Sequence, residues 1–169
     1  VDGGEGTDRL YTYGEDDVSL DMGEASIESV YGQSDAAHDI NAETAEASVT
    51  VSLRGGDDTV TGSDHNDSIS TGDGNNVVDG GAGNDRLYGH RGGTDELSGG
   101  AGDDYIYADG KDTVDGGEGT DRLYTYGEDD VSLDMGEASI ESVYAQTNAD
   151  HDIDASSAED GVSISLRAG

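Results

Sequence analysis

From Leu53 to about Ser132 an aliphatic side chain recurs roughly every nine residues, always two places after an Asp or Asn. The polar positions are Asp58, Asp67, Asn76, Asp85, Asp95, Asp104, Asp112, Asp121 and Asp129. The matching apolar ones are Val60, Ile69, Val78, Leu87, Leu97, Ile106, Val114, Leu123 and Val131. Thr, Ser, Tyr and Val flank many of them, as strand propensity favours. One inward side chain on each short β-strand explains the set, because alternate residues of a strand face opposite sides. The pattern predicts a stack of short strands joined by turns.

Those turns are rich in glycine. Gly80–Tyr88 reads Gly-Gly-Ala-Gly-Asn-Asp-Arg-Leu-Tyr; Gly99–Tyr107 and Gly116–Tyr124 share its form, and Gly3–Tyr11 is identical to Gly116–Tyr124. A larger repeat overlies this one. Val1–Tyr31 recurs unchanged at Val114–Tyr144, an offset of 113 residues that holds to the end, where Val51–Arg54 aligns with Ile164–Arg167. The chain therefore holds one unit (1–113) and part of a second (114–169). It starts and stops inside a repeat, so a longer array is expected.

Between the nonapeptide blocks (1–19 and 53–132) lie 20–52 and 133–165, with fewer glycines. Val49-x-Val51-x-Leu53 alternates like a strand. Glu24–Glu28 or Ala42–Ala47 has room for one helical turn, too short to stand alone. These segments are expected to be wider coils of the same solenoid with fewer metal turns; a small separate domain is the alternative.

Charge changes what such a stack needs. Seven Lys and Arg face 40 Asp and Glu, for a net charge of −33, and there is no Pro, Cys, Trp or Phe. A core without Phe or Trp is thin, and self-repulsion opposes compaction unless cations neutralise it. Without cations the composition is that of a disordered acidic chain. No basic patch exists to meet phosphates, which excludes nucleic acid as a partner. No apolar run is long enough for membrane insertion. The lack of cysteine suits an exported protein stabilised by metal rather than by disulfides.

A Gly-x-Gly-x-Asp turn suits a hard cation. Glycine permits positive φ and brings carbonyl oxygens close, and the Asp adds charge. Calcium accepts six to eight oxygens with loose geometry, whereas magnesium demands a tight octahedron. Four scattered His and no Cys argue against zinc or copper.

The nonapeptide resembles the Gly-Gly-x-Gly-x-Asp-x-aliphatic-x repeat of the RTX calcium-binding parallel β-roll family, found in large secreted bacterial repeat proteins and adhesins. The resemblance covers about half the chain. It implies an all-β, right-handed parallel β-roll or β-solenoid, with two nonapeptides per coil and several Ca2+ ions in two ladders along its edges. Every second turn then shares an edge. Gly89–Ser98 has one residue too many and Ala108–Asp115 one too few, so both edges step by 18, 19 and 17 (67, 85, 104, 121 and 58, 76, 95, 112) and register is restored. One continuous solenoid is expected.

In that family an ion sits between turns one coil apart, on carbonyls of both and one Asp side chain. Carried over, one ion takes the carbonyls of Gly81, Gly83, Asp85, Gly99 and Ala101 and the Asp104 carboxylate. The next takes Gly100, Gly102, Asp104, Gly116 and Glu118 with Asp121. The one completed by Asp85 draws on Ser63, His65 and Asp67. Gly80, Ala82, Gly117 and Gly119 belong to the same turns. On the other edge the resemblance assigns carbonyls to Gly72, Gly74, His90, Arg91, Gly92, Gly93, Tyr107 and Asp109, with Asp58, Asn76, Asp95 and Asp112 as turn side chains. Asp8, Asp16 and Asp129 take that role in the terminal blocks. Asn76 removes a charge, and the turns at Thr12–Asp16 and Thr125–Asp129 keep only Gly-x-Asp, so those sites are expected to be weak.

His38-Asp39 and His151-Asp152 are expected as surface polar pairs, since no nucleophile is placed beside them. Tyr11, Tyr13, Tyr88, Tyr105, Tyr107, Tyr124 and Tyr126 are expected to pack beside the strands rather than to form a glycan-binding stripe. The resulting expectation is a non-enzymatic, calcium-dependent structural segment of a large secreted protein, such as an adhesin stalk, surface filament or matrix scaffold. Calcium is its partner, with self-association or a cell-surface glycan as further partners, and type I secretion is its route. The alternative is a calcium-binding accessory or secretion module of a protease, lipase or alginate epimerase.

Overall fold

A computed structural model describes all residues except 90–91, 128, 147–149, 159–160 and 167–169. Strands are numbered in chain order. β1 (Arg9–Thr12), β3 (Ser29–Gly32), β5 (Thr50–Ser52), β7 (Ser68–Ser70), β9 (Arg86–Tyr88), β11 (Tyr105–Ala108), β13 (Arg122–Thr125), β15 (Ser142–Ala145) and β17 (Ser163–Leu166) form a nine-stranded sheet. β2 (Val18–Asp21), β4 (His38–Asn41), β6 (Thr59–Thr61), β8 (Val77–Asp79), β10 (Glu96–Ala101) and β12 (Thr113–Glu118) form a six-stranded one. β14 (Val131–Asp134) and β16 (His151–Asp154) make a third pair. Consecutive strands alternate between sheets and neighbours run parallel, so the chain winds as a β-solenoid. The wider segments belong to the same winding: β3, β4 and β5 lie in the two main sheets.

The aliphatic column dictates this register. Ile69, Leu87, Ile106, Leu123 and Val143 are successive partners in the first sheet. Ile40, Val60, Val78 and Leu97 are successive partners in the second, and Val114 follows. Val60, Ile69, Val78, Leu87, Leu97, Ile106 and Leu123 are at most 3% exposed, Val114 less buried. With one such residue per strand, each matters. Ile106→Ala is expected to cost about 2–5 kcal/mol, read as a lowered unfolding midpoint in saturating calcium. A shift near zero would show that Ile106 is not a core contact.

The wide coils absorb their extra residues at one corner. Helix α1 (Met22–Ala25) begins at Asp21, whose Oδ1 accepts the Glu24 N–H at 2.9 Å, and ends at Ser26 with φ 50. The helical turn therefore starts two residues before the expected Glu24–Glu28, because Asp21 caps it and Met22 and Ala25 anchor it in the core. Asp134 caps the equivalent turn in the second copy, where Ser139 has φ 50.

Tyrosines line the outer face of the nine-stranded sheet. Tyr88, Tyr107, Tyr124 and Tyr144 stack in succession with ring centroids 4.5, 5.0 and 4.9 Å apart, and Tyr11 stacks on Tyr31 at 5.1 Å. Arg86 and Arg122 flank the Tyr105 ring at 5.5 and 5.1 Å. The stacked faces cover one another, leaving edges outward, which suits packing along strands better than stacking against a sugar.

Candidate cation ladders

Each column Asp closes a hydrogen bond to the coil before it. On the first edge Asp67 N–H donates to Asp85 Oδ1 (2.7 Å), Asp85 N–H to Asp104 Oδ1 (2.7 Å) and Asp104 N–H to Asp121 Oδ1 (2.8 Å), over separations of 18, 19 and 17 residues. On the second edge Asp58 N–H donates to Asn76, Asn76 N–H to Asp95 and Asp95 N–H to Asp112, again over 18, 19 and 17. The residue before each column position forms an outer ladder of opposite sense: Asn84 N–H donates back to Asn66, Asp103 N–H to Asn84 and Thr120 N–H to Asp103. Two antiparallel rows of side-chain acceptors thus fix the stacking of the turns at 66–67, 84–85, 103–104 and 120–121.

The inner row leaves charge unsatisfied. Asp58, Asp85, Asp95, Asp104 and Asp121 are at most 2% exposed, yet the Oδ2 of each has no hydrogen-bond partner. An unpaired buried carboxylate oxygen costs more than a neutral polar atom in the same position. At Gly99 the surroundings are clearest. A Cβ there would lie less than 3.0 Å from both Asp104 Oδ2 and the Gly116 carbonyl of the next coil. Only glycine fits, and what faces it is two oxygens. Gly80 stands in the same relation to Asp85 Oδ2 and Gly99 O. At φ 98 Gly100 lets its turn stack on the Gly81 carbonyl.

The carbonyls expected to share an ion meet at this corner. Ala101 N–H donates to Gly81 O (2.9 Å) and Gly83 N–H to Ala101 O (2.7 Å), which leaves each oxygen a second lone pair. Gly102 stacks on the Gly83 carbonyl, Gly117 on that of Gly100 and Gly119 on that of Gly102, while Glu118 O accepts the Gly102 N–H. One coil earlier Ala82 N–H donates to Ser63 O, and Gly83 stacks on His65. Asp67 differs from its column mates because Ser63 N–H and Oγ both donate to its Oδ2.

The second edge is less uniform. Gly72 and Gly74 stack on the carbonyls of Arg54 and Gly56, and Gly93 on that of Gly74, whereas Gly92 faces open space. His90 and Arg91 lie outside the described residues. Tyr107 O accepts the Gly89 N–H. Asp109 N–H donates to Asp112 Oδ2, so the shortened turn satisfies its own carboxylate. Asn76 Nδ2 donates to Asp95 Oδ1 at 2.9 Å, and so brings an N–H to a rung where an ion would otherwise act.

Some residues fall elsewhere than the sequence suggests. β2 pairs Leu20 with Ile40, and β4 pairs Ile40 with Val60, so Val18 falls in line with His38 and Asp58, and Asp16 lies exposed outside the column. Asp129 ion-pairs with Lys111 at 2.8 Å. His38 is not a surface residue: at 2% exposure it fills the Asp slot, its Nδ1 is 3.0 Å from Asp58 Oδ1 and its Nε2 3.0 Å from Thr12 Oγ1. Asp39 points outward. Two further column members went unrecognised in the sequence. Glu28 Oε2 accepts the Asp8 N–H and Glu141 Oε2 the Asp121 N–H, each at 2.7 Å over 20 residues.

Burial raises the pKa values of the column. Asp85 is pushed up to about 7, first by burial and then by repulsion from Asp104 and Asp67, against the lowering effect of the Asp67 N–H. Burial raises Asp95, Asp112 and Asp121 to about 6. Without metal, the folded chain binds protons that the unfolded chain, titrating near 4, has released. Metal-free stability is therefore complete below about pH 4 and is lost as pH rises through about 6–7. Acidifying the chelated chain from about pH 8 to about pH 4.5 is expected to increase its β-type circular dichroism, and a decrease would refute the assignment.

Among the described residues no three Asp, Glu or His side chains converge on one point. The donor set is instead one carboxylate per rung with backbone carbonyls, all hard oxygens, and the orphaned Oδ2 atoms supply the demand for positive charge. These residues fit calcium. Residues 1–18, 61–93, 91–123 and 108–131 each match the RTX calcium-binding nonapeptide repeat. No curated protein and no solved structure matches the chain.

Proposed function

Because the chain belongs to the RTX calcium-binding nonapeptide repeat family, we propose that it is a calcium-dependent structural segment of a large, repetitive, secreted bacterial protein. An adhesin stalk, a surface filament or an extracellular matrix scaffold is the setting that suits it. The observation behind this reading is the row of buried, unpartnered carboxylate oxygens at Asp85, Asp104 and Asp121. Bound calcium supplies the positive charge those oxygens require.

The chain's own residues do the rest. Asp85, Asp104 and Asp121 hold adjacent coils in register through their Oδ1 atoms and present Oδ2 towards the next coil. In calcium-poor cytosol their repulsion, added to a net charge of −33, keeps the chain unfolded for export by a type I route. At the calcium levels that extracellular modules bind, about 10⁻⁴–10⁻³ M, the coils close. The reading assigns no catalytic step: His38 is sealed between Thr12 and Asp58.

A stalk must lengthen with each unit. β1 and β13 are equivalent strands six steps apart in one sheet, so a 113-residue unit adds about 29 Å at about 4.8 Å per step. Small-angle scattering of one unit and of a tandem pair in about 1 mM calcium should show that increment. A compact particle, or a length indifferent to unit number, would rule out the stalk.

A further inference from the structure

We infer that each 113-residue unit holds one cation site beyond those its nonapeptides encode, at the corner where a nonapeptide turn meets the wide coil. Its donors in the second copy are the carboxylates of Asp121 and Glu141 and the carbonyl of Ser139. In the first copy they are Asp8, Glu28 and Ser26. The inference rests on the calcium reading above and names residues outside the repeat.

Glu141 occupies the column. Its Oε2 accepts the Asp121 N–H at 2.7 Å, as Asp121 Oδ1 accepts that of Asp104 at 2.8 Å. The sign of a ligand is the last nonapeptide Asp of the column, Asp121, which is 0% exposed and has no partner for the Oδ2 it turns towards the wide coil. That atom and the Ser139 carbonyl both lie less than 3.0 Å from the place a Cβ would take at Gly116. Asp104 Oδ2 and the Gly116 carbonyl bracket Gly99 in the same way one coil earlier. The Gly116 N–H is already given to Ala138 O at 2.7 Å, so it does not answer the facing oxygens. The arrangement occurs twice. Asp8 Oδ2 is unpartnered, Gly3 faces the Ser26 carbonyl, and Gly3 N–H donates to Ala25 O at 2.8 Å.

The corner differs from a nonapeptide turn in one respect that sets its strength. Only Ile140 separates Ser139 from Glu141, where four residues separate Gly99 from Asp104. The carbonyls of a full turn are missing, and a cleft lined by Gly117, Ser139, Glu141 and Ser157 opens there. A hard divalent ion in that position completes its shell with water, as calcium tolerates. With the fewest protein oxygens in its column, this site fills last and empties first.

The test uses anomalous scattering from crystals of the wild-type chain grown in calcium. Peaks are expected between successive nonapeptide turns on the first edge, with two more at the junctions, one bounded by Asp121, Ser139 and Glu141 and one by Asp8, Ser26 and Glu28. Peaks between the turns but none at the junctions overturn the inference and leave the calcium reading intact; no peak anywhere overturns both. Equilibrium dialysis gives a second readout. Glu28→Gln with Glu141→Gln keeps an amide oxygen for the Asp8 and Asp121 N–H groups and should lower the calcium count by two per chain. An unchanged count at saturating calcium also overturns the inference.

Discussion

Exhaustive chelation is expected to convert the ordered chain into an expanded coil, with loss of β-type circular dichroism and a radius of gyration rising to roughly 40 Å. The reason lies in what each coil buries. A rung contributes two aliphatic side chains, such as Leu87 and Leu97, and its buried charged positions are carboxylates such as Asp85 and Asp95. Those carboxylates sit one above the next, and Asp58, Asp85, Asp95, Asp104 and Asp121 each keep an oxygen that no N–H reaches. Near neutral pH Asp95 and Asp121, raised only to about 6, stay largely ionised, so the metal-free stack carries most of their repulsion. Forty acidic side chains against seven basic ones give no relief from elsewhere. A chain that keeps its β signal in excess chelator at neutral pH would remove calcium from the account of its stability.

What the sequence made legible was the part governed by strict period. The spacing of Ile69, Leu87, Ile106 and Leu123 marks the inward column, and the paired irregularities at Gly89–Ser98 and Ala108–Asp115 reappear as hydrogen bonds spanning 19 and then 17 residues. The wide coils escaped because their period is different. Glu28 and Glu141 enter the column 20 residues from their partners, with a single glycine (Gly23, Gly136) before each instead of a glycine-rich turn and with one more methylene than Asp. His38 was read against its sequence neighbour Asp39, but the partner that matters, Asp58, is a full coil away. The same phase shift misplaced Asp16, since the 20-residue step brings Val18 to the slot. The outer ladder of Asn66, Asn84 and Asp103 did leave a signal, an amide or acid before the column Asp. It reads as generic turn chemistry until stacking shows what each side chain accepts.

Asp104→Asn is expected to act with opposite sign in the two states of the chain. Asp104 Oδ1 accepts the Asp85 N–H at 2.7 Å, and an amide oxygen can keep that bond. The other carboxylate oxygen faces the Gly116 carbonyl without a partner. An amide nitrogen placed there becomes a donor to an acceptor, so a repulsive contact turns attractive. Asn76 already shows the arrangement: its Oδ1 accepts the Asp58 N–H at 3.0 Å while its Nδ2 donates to Asp95 Oδ1 at 2.9 Å. In chelator the variant should therefore retain more β structure than the parent chain near neutral pH. In calcium it should do worse, because the resemblance places Asp104 between two ions, one towards each neighbouring coil. The calcium midpoint is expected to rise roughly tenfold, affinity in such sites being set by ligand charge. Asp104→Ala separates the two effects, since it also strands the Asp85 N–H and should lose structure under both conditions. Should Asp104→Asn leave the calcium titration where it was, Asp104 binds no ion, and its burial would need another explanation.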